Sequence, residues 1–380
     1  MLFPIKLLNK SIGRNVIIKK NRNTLPVFFI FFCAMIQIEI TERLLELQFT
    51  WKIARNASDF KNNFFVKIYD DQFEGLGEVA PNIRYGENRD LINEQFKQLS
   101  ASGIHSISNH SELIKLFTKV QTCNSLRFGI ESSFIHYWCR KSNISVCNYL
   151  KIPSPQQVFT AFTMPIMPIE EMCDFYNQHH LQRFKHLKLK VNSENSREAL
   201  QEIVKVAKQP IMIDGNEAWI NPDEVLNYID FLKDYPILFL EQPMPSKNVE
   251  EYKYLKPKSK VLLMGDESIT DAPDMDAIAQ QFHGVNMKLQ KAGGYVNGLR
   301  ILNEARQRNL KTMIGCMVET SVGIGSAMNL CAGIDFIDLD GFLILKEDPF
   351  RLIREERGGL KKNICPCNFS SCIGSYYYKG

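Results

Sequence analysis

HLKLK (186–190) is one of eight short apolar runs that recur along the second half of the chain, each ending in a polar residue or a cysteine. The ends of successive runs lie 22 to 28 residues apart. Amphipathic stretches such as SREALQEIVKVAKQ (196–209) separate them, and one strand, one helix and two loops need about that length. The eight runs are VFTAFT (158–163), HLKLK (186–190), PIMID (210–214), ILFLE (237–241), VLLMGD (261–266), GVNMK (284–288), KTMIGC (311–316) and FIDLD (336–340).

Strands that are apolar throughout are typical of a parallel sheet that is covered on both faces. Eight strand–helix units in succession predict an α/β fold in which residues 156–350 form a β/α barrel, a modified TIM barrel. An open, doubly wound sheet is the alternative, but it gives no reason for a functional residue at the end of every strand. In a barrel the carboxyl ends of all the strands meet at one mouth, and this favours the barrel.

The first half of the chain has a different pattern. Strand-like runs such as FFVKIYDD (64–71) and FEGLGEVAP (73–81) come first, and helical stretches such as SLRFGIESSFIHYWCRK (125–141) follow. Strands followed by helices predict a separate α+β domain, which we place at residues 35–155. Such an N-terminal domain is expected to cap the mouth of the barrel.

The two ends of the chain differ from the rest. Residues 1–34 carry six Lys or Arg and no acid, and their apolar part, LPVFFIFFCAMI (25–36), is similar to that of a signal peptide. A small-residue cleavage site is missing, and strand-like alternation starts directly after Met35. We therefore predict that residues 1–34 are a non-native or disordered extension and that the protein is cytoplasmic rather than exported. Residues 351–380 are interpreted as a closing segment that can return to the capping domain.

Charge and cysteine content exclude several classes of function. The formal net charge of +4 comes from the two ends, since residues 35–356 hold 36 Lys and Arg against 42 Asp and Glu. No nucleic-acid partner is therefore expected. No apolar run reaches the roughly 18 residues of a membrane span, so no membrane partner is expected either. Ten cysteines without the spacing of a zinc site or a disulfide framework indicate a reducing compartment. The sequence is compatible with a homo-oligomer but does not determine the oligomeric state.

Three carboxylates close successive apolar runs: Asp214, Glu241 and Asp266. The ends of adjacent barrel strands lie side by side, so these side chains are predicted to converge. A helix cap or a salt bridge would explain any one of them. Three buried carboxylates together repel one another and are costly without a cation. An oxygen-only set of ligands suits Mg²⁺ better than zinc, so we predict that these three residues bind Mg²⁺.

Lys188 and Lys190 lie two residues apart on one predicted strand, so both side chains point to the same face, which is the interior of a barrel. Lys288 ends the sixth run, across the mouth from the second. Exposed loop lysines are the ordinary alternative, but both runs have apolar neighbours. Two lysines that face each other across a metal can remove a proton from one face of a carbon and return it to the other. A neighbouring ammonium and the metal are expected to lower the pKa of the lysine that acts as the base.

These motifs resemble those of the enolase superfamily, in the muconate-lactonizing-enzyme-like subgroup, and most closely those of the dipeptide epimerases. The resemblance runs from about Met35 to Arg351. The matching motifs are Lys188-Leu189-Lys190, Asp214-Gly215-Asn216, Glu241-Gln242-Pro243, Gly265-Asp266-Glu267-Ser268, Lys288 with Lys291-Ala292-Gly293-Gly294, Gly315-Cys316-Met317-Val318-Glu319-Thr320-Ser321, Asp338-Leu339-Asp340-Gly341 and, in the capping domain, Gly77-Glu78-Val79-Ala80-Pro81.

The resemblance implies roles for individual residues. Lys190 and Lys288 are the implied bases, and Lys188 is implied to stabilise the enolate formed between the two proton transfers. Asp338 and Asp340 are implied to hold the α-ammonium of the substrate, whereas a helix cap and a salt bridge are their ordinary interpretation. The other implied substrate-binding residues are Lys188, Thr163, Cys316, Val318 and, in the capping loop, Arg55.

The implied function is that of an isomerase: a Mg²⁺-dependent epimerase that inverts the α-carbon of the C-terminal residue of a small Ala-Xaa dipeptide, in cell-wall peptide metabolism. A lyase or cycloisomerase of the same superfamily, such as o-succinylbenzoate synthase or muconate cycloisomerase, is an alternative that leaves Asp338 and Asp340 unexplained, because its substrate has no ammonium. A non-catalytic enolase-like binding protein is a third. Relatives with a histidine base on strand seven are disfavoured, since residues 284–380 contain no histidine.

The side chains of the substrate are less constrained. An ammonium held one residue away from the reacting carbon predicts a dipeptide. A pocket floored by Thr163, Val318 and Gly323 favours alanine as the first residue. A glutamate at the second position needs a cation, for which Arg55 is the candidate; without it the apolar residues around Trp51 favour a small apolar side chain. We therefore expect Ala-Ala and Ala-Glu as the leading substrates, with Ala-Ala ahead.

Overall fold

The computed structural model describes residues 36–54 and 56–363. The predicted extension at residues 1–34, the cysteine-containing end of the tail and Arg55 lie outside the described residues. Within the described ranges, no helix has both the length and the apolar character that crossing a bilayer requires.

The described chain starts with a three-stranded antiparallel sheet in the order β1-β2-β3. A long hairpin joins β1 (Gln37–Ile53) to β2 (Asn56–Tyr69), and β3 (Glu74–Val79) pairs with β2. The middle of β2 is buried on both faces, since the adjacent Phe64 and Phe65 are 1% and 4% exposed. Helices cover one face of the sheet, and the barrel covers part of the other.

Four helices follow the sheet, and the third packs against it closely enough to require glycine. A Cβ at Gly77 would lie 1.9 Å from the carbonyl oxygen of Gly129, and a Cβ at Gly75 would lie 2.0 Å from that of Ser133. The glycines of the GLGEV stretch therefore set the distance between sheet and helix. The helices are α1 (Arg89–Ala101), α2 (His110–Val120), α3 (Asn124–Lys141) and α4 (Val146–Leu150).

Eight parallel strands form a nearly closed barrel and alternate with helices, as predicted. The backbone hydrogen bond from Ala161 N to Ile337 O, at 3.0 Å, links the first barrel strand to the last. The short strand β4 (Val158–Phe159) precedes the barrel. The barrel strands are β5 (Phe162–Met164), β6 (Leu187–Lys190), β7 (Ile211–Asp214), β8 (Ile237–Glu241), β9 (Leu262–Gly265), β10 (Gly284–Lys288), β11 (Lys311–Gly315) and β12 (Phe336–Asp338).

The helices between the barrel strands vary in length from one turn to more than three. The shortest lies directly after Lys288. They are α5 (Met172–Gln178), α6 (Ser196–Ile203), α7 (Pro222–Leu232), α8 (Val249–Leu255), α9 (Met275–Gln281), α10 (Leu289–Ala292), α11 (Tyr295–Gln307) and α12 (Ser321–Met328). Short 3-10 turns occupy Ile83–Tyr85, Ile104–Ser106, Ile169–Glu171, Leu181–Arg183 and Lys256–Lys258.

The strands differ from the sequence pattern at the two ends of the barrel. The run VFTAFT is divided, because β4 pairs outside the barrel with β14 (Gly359–Lys362), which forms a hairpin with β13 (Ile353–Glu356). The described part of the C-terminal segment thus pairs with β4, which leads into the barrel, and not with the N-terminal sheet β1-β2-β3. Asp340 lies just beyond the end of β12, in the turn that follows it.

Apolar side chains fill the barrel below its mouth. The fully buried cluster consists of Ala161, Met212, Phe239, Met264 and Met313. Four of them lie two positions before a polar residue at the mouth, so the two side chains of each pair point into the barrel; the pairs are Ala161 and Thr163, Met212 and Asp214, Phe239 and Glu241, and Met264 and Asp266. The barrel is therefore closed underneath, and its polar chemistry is confined to the carboxyl ends of the strands.

Candidate active site

The predicted metal ligands converge at the mouth of the barrel. Asp214, Glu241 and Asp266 end or directly follow β7, β8 and β9, and one carboxylate oxygen from each lies within 4.8 Å of the other two. All three side chains are buried. Among the described residues, this is the one cluster of three or more potential ligands that meets this distance criterion.

The chemistry of this cluster fits a hard divalent cation. Burial, together with the charges of Asp214 and Asp266, raises the pKa of Glu241 to about 7, although Lys188 acts in the opposite direction. Glu241 Oε1 accepts a hydrogen bond from Asn286 Nδ2 at 2.7 Å, whereas the buried Oε2 atom has no hydrogen bond. A dication bound by the three carboxylates would counteract the burial and the mutual repulsion that raise the pKa of Glu241, and Mg²⁺ prefers oxygen ligands.

The turns after β7 and β8 explain the motifs D-G-N and E-Q-P. Asn216 and Gln242 both have positive φ, 43° and 33°. A Cβ at Gly215 would lie 2.7 Å from the Trp219 ring and 3.0 Å from the Cα atom of Pro243. These tight turns bring Asn216 Oδ1 back over the mouth, where it accepts a hydrogen bond from Lys190 at 2.8 Å.

Lys188 lies at the centre of the charge network. Its Nζ atom is 3.0 Å from Asp214 Oδ2, 2.8 Å from Glu241 Oε2 and 2.9 Å from Asp338 Oδ2. The contact with Glu241 is an ion pair without hydrogen-bond geometry. Burial alone would lower the pKa of Lys188, but the surrounding carboxylates outweigh it and hold the pKa well above its usual range. Lys188 is therefore a fixed positive charge at neutral pH.

Lys190 and Lys288 lie on opposite sides of the mouth. They belong to β6 and β10, which are four positions apart in the order of eight barrel strands. Lys190 Nζ is 2.9 Å from Asp214 Oδ2, and Lys288 Nζ is 2.9 Å from Asp266 Oδ2. Burial lowers the pKa of Lys288, but the charge of Asp266 more than compensates, so the pKa of Lys288 is raised above its ordinary value. In a site that holds a metal ion, the cation and the lysines would compete for the same carboxylates, and a lowered pKa for the lysine that acts as the base stays a prediction.

Asp338 and Asp340 also lie together, on the side of the mouth opposite Glu241. Asp338 Oδ1 accepts a hydrogen bond from Thr163 Oγ1 at 3.2 Å, and Asp340 Oδ2 accepts one from Thr163 N. Burial and the adjacent Asp338 raise the pKa of Asp340 to about 7. Two buried carboxylates with a single lysine between them and the metal cluster form an acceptor for a cationic group.

A cavity of about 540 Å³ lies between the barrel mouth and the capping sheet. Asp266 and the three lysines are in its wall, whereas Asp214 and Glu241 are not. Of the predicted substrate-binding residues, Lys188, Thr163, Cys316, Val318, Asp338 and Asp340 are in its wall. The prediction for Gly323 was wrong, because Gly323 is not part of this wall and packs against Glu319 and Glu78. Arg55 lies outside the described residues.

Sequence reasoning missed several residues of the cavity wall that belong to the capping region. Lys61 comes from β2, and Arg84 and Tyr85 come from the 3-10 turn that follows the GEVAP motif. The motif itself gave a usable signal, because the 3-10 turn Ile83–Tyr85 closely follows it and lies in the cavity wall. Nothing in the local sequence around Lys61 marks it as a wall residue.

Comparison with known proteins agrees with this arrangement. A family model described as Enolase C-terminal domain-like matches residues 171–344. The L-Ala-D/L-amino acid epimerase of Pedosphaera parvula is 32% identical over 344 residues, which cover 87% of this chain and 97% of the relative. The L-Ala-D/L-Glu epimerase of Escherichia coli is 25% identical over 308 residues, covering 80% of this chain and 92% of the relative.

Solved structures share the fold. A substrate-liganded complex of the L-Ala-D/L-Glu epimerase from Bacillus subtilis has a TM-score of 0.80 at 24% identity and covers 87% of this chain and 96% of its own. A dipeptide epimerase from Cytophaga hutchinsonii, complexed with Mg and D-Ala-L-Val, has a TM-score of 0.81 at 21% identity. The match covers 87% of this chain and 93% of the Cytophaga chain. The predicted barrel with an N-terminal capping region is thus confirmed. Since a relative 32% identical is matched along nearly its whole length, the chain belongs to the dipeptide epimerase family of isomerases within the enolase superfamily.

Proposed function

We propose that this protein is a Mg²⁺-dependent dipeptide epimerase that inverts the α-carbon of the C-terminal residue of an Ala-Xaa dipeptide. One observation carries the proposal: Lys190 and Lys288 lie on one diameter of the barrel mouth, and the metal cluster and the Asp338–Asp340 pair lie on the other. Family membership supports the same activity.

The two diameters define how a dipeptide fits. Glu241, on β8, is four strands away from Asp338, on β12, so the metal cluster faces the two aspartates. The carboxylate of the substrate belongs at the metal cluster, and its ammonium belongs at the aspartates. The α-carbon of the second residue then lies between the two lysines. Asp214, Glu241 and Asp266 would hold Mg²⁺, whose positive charge offsets the negative charge that develops on the substrate carboxylate.

The lysines perform the proton transfers. One of them, as the neutral amine, takes the α-proton, and the electron pair of the broken C–H bond moves into the carboxylate to give an enolate. The other lysine, as the ammonium, donates a proton to the opposite face of the carbon, and the configuration inverts. Lys190 and Lys288 exchange these roles for the two epimers. Lys188 stays protonated and stabilises the enolate electrostatically, since its pKa is held high.

Other members of the superfamily fit the site less well. A muconate cycloisomerase or o-succinylbenzoate synthase substrate has no ammonium, so the buried Asp338 and Asp340 would have no cation from the substrate to pair with in addition to Lys188. A binding protein would not need two lysines on opposite sides of a metal cluster. Among the described residues the six cysteines are free, which supports a reducing, cytoplasmic location, and dipeptides of cell-wall origin are the proposed source of substrate.

Solvent exchange tests the mechanism. In D₂O with Mg²⁺, the wild-type protein should incorporate deuterium at the α-carbon of the second residue of both epimers of L-Ala-Glu or L-Ala-Ala, as followed by NMR. Lys190→Ala and Lys288→Ala should each abolish epimerisation, and each should retain exchange of one epimer only, the two variants differing in which. Lys260→Ala, on the outer surface, is the control and should behave as wild type. A Lys288→Ala protein that exchanges both epimers equally would refute the proposal.

A further inference from the structure

Lys61 brings a positive charge to the cavity from the capping sheet. It lies on β2, two residues before Asn63, so both side chains are on the same face of the strand. Asn63 Nδ2 donates to the carbonyl oxygen of Val318 at 2.9 Å, which shows that this face looks onto the barrel mouth. Lys61 is half-buried and is part of the cavity wall.

Lys61 differs from the other cations of the wall because it has no counter-ion among the residues that the structure describes. Lys188, Lys190, Lys288 and Arg84 each lie within 3.0 Å of a carboxylate oxygen. Lys61 has no ion pair or hydrogen bond through its side chain within residues 36–54 and 56–363. Burial lowers the pKa of Lys61, and no carboxylate of the described residues offsets that effect. A half-buried ammonium without a partner is costly, and an anionic group of the ligand would remove the cost.

The geometry of the reaction shows which group of the ligand reaches Lys61. When the α-carbon is planar, its three substituents lie in one plane and the two lysines lie on either face. The carboxylate points to the metal cluster and the amide nitrogen points towards Asp338. The side chain must therefore run along the barrel axis. Met212 and its neighbours close the barrel below, so the side chain runs up into the capping sheet, where Lys61 is.

We propose that Lys61 binds the side-chain carboxylate of an acidic second residue, so that the enzyme prefers Ala-Glu or Ala-Asp dipeptides to their neutral counterparts. This inference rests on the proposed dipeptide epimerase function and reverses the order of Ala-Ala and Ala-Glu expected from sequence. It places the substrate's side-chain carboxylate next to Lys61 on β2, whereas the sequence suggested Arg55 as the cation. An alanine in the same position would leave the Lys61 ammonium without a partner.

A comparison of isosteric substrates tests the proposal. For the wild-type protein, kcat/KM should be higher for L-Ala-L-Glu than for L-Ala-L-Gln, by roughly 10- to 100-fold, the range of a hydrogen bond to a charged group. Lys61→Met should remove this preference, mainly through KM for L-Ala-L-Glu. Lys52→Met, on the exposed side of the same hairpin, is the matched control and should keep it. Because the readout is a ratio between two substrates of one protein sample, a loss of folded protein does not affect it.

A charge reversal gives a second test. Lys61→Glu should disfavour L-Ala-L-Glu and favour L-Ala-L-Lys. If the wild type and Lys61→Met show the same Glu-to-Gln ratio, the role of Lys61 is refuted while the epimerase function stands. If the wild type exchanges no dipeptide at all in D₂O, the proposed function itself fails.

Discussion

Arg84 of the capping region forms a bidentate ion pair with Glu217 of the barrel, 133 residues further along the chain. Nη2 lies 2.8 Å from Oε1, and Nε lies 3.2 Å from Oε2. Glu217 has a left-handed φ of 64° and belongs to the turn after β7, the strand that ends at the predicted metal ligand Asp214. A planar, two-point contact of this kind fixes orientation as well as distance. It therefore holds the turn around Ile83 and Tyr85 over the cavity.

The first prediction concerns this contact. Arg84→Met removes both hydrogen bonds to Glu217, and a longer one to Ser246 Oγ, but keeps an unbranched side chain. Because the pair is partly exposed, its loss is expected to cost about 1 kcal/mol, and KM for the dipeptide should rise about fivefold while kcat stays near the wild-type value. Steady-state kinetics measures both. Arg89→Met breaks the pair with Glu42, whose residues are not in the cavity wall, and serves as the control. A fall in kcat at constant KM would contradict the prediction.

The second prediction concerns two carboxyl groups buried where the capping sheet meets the barrel. Glu78 accepts hydrogen bonds from Thr320 N, Thr320 Oγ1 and Gly323 N, and Glu319 lies beside it. Burial, and then the charge of Glu319, raises the pKa of Glu78 from 4.5 to about 8. The folded protein therefore holds a proton that the unfolded chain has released. The free energy of unfolding should fall as the pH rises from about 4.5 to about 8, by up to roughly 1.4 kcal/mol per pH unit.

Glu319→Gln removes one of the two charges and should flatten this dependence, because the pKa of Glu78 then falls towards its ordinary value. Urea denaturation at several pH values between 5 and 8 measures the slope. Glu347→Gln, at an exposed site, should leave the slope unchanged. Parallel curves for Glu319→Gln and the wild type would show that the two carboxyl groups are not coupled.

The third prediction concerns the metal cluster. Asn286 Nδ2 donates to Glu241 Oε1 at 2.7 Å and so orients one of the three carboxylates. Asn286→Ala removes this support, and the dissociation constant for Mg²⁺ is expected to rise about tenfold, as is usual for a group that orients a ligand. Isothermal titration calorimetry with MgCl₂ gives the constant. Asp266→Asn should weaken binding further, and Asn227→Ala, at an exposed position, should not change it. Equal affinities for Asn286→Ala and wild type would argue against binding at this cluster.

Much of the fold and the centre of the site follow from local sequence. Three of the site residues end apolar runs: Asp214, Glu241 and Lys288. The end of each buried parallel strand could be predicted from the end of its apolar run, without knowledge of distant contacts. Lys61 and Arg84 could not be placed in this way, because their positions depend on how the capping sheet packs over the mouth, and no periodicity encodes that contact. The division of VFTAFT into β4 and β5 was also missed, since it depends on pairing with β14 about 200 residues later.

The last prediction separates the two aspartates. Asp338 Oδ2 lies 2.9 Å from Lys188 Nζ. Asp340 forms no ion pair with a lysine of the described part of the chain and accepts a hydrogen bond from the backbone of Thr163. Both are proposed to bind the substrate ammonium, so each Asp→Asn change should raise KM by roughly 10- to 100-fold. Only Asp338→Asn should also lower kcat, because it removes one of the carboxylates that hold Lys188 in place beside the enolate.

The pH dependence provides an independent check on the same pair. Burial and Asp338 raise the pKa of Asp340 to about 7, so Asp340 takes up a proton as the pH falls through that value in the free enzyme. Its attraction for an ammonium is then lost, and kcat/KM for L-Ala-L-Glu should fall on the acid side of pH 7. In Asp340→Asn that part of the fall should disappear. N-acetyl-L-Ala-L-Glu, which has no ammonium, should react poorly with the wild type and gain relative to the free dipeptide in Asp340→Asn. If acetylation makes no difference to the wild type, the two aspartates do not bind an ammonium, and their role must be confined to holding Lys188 and Thr163.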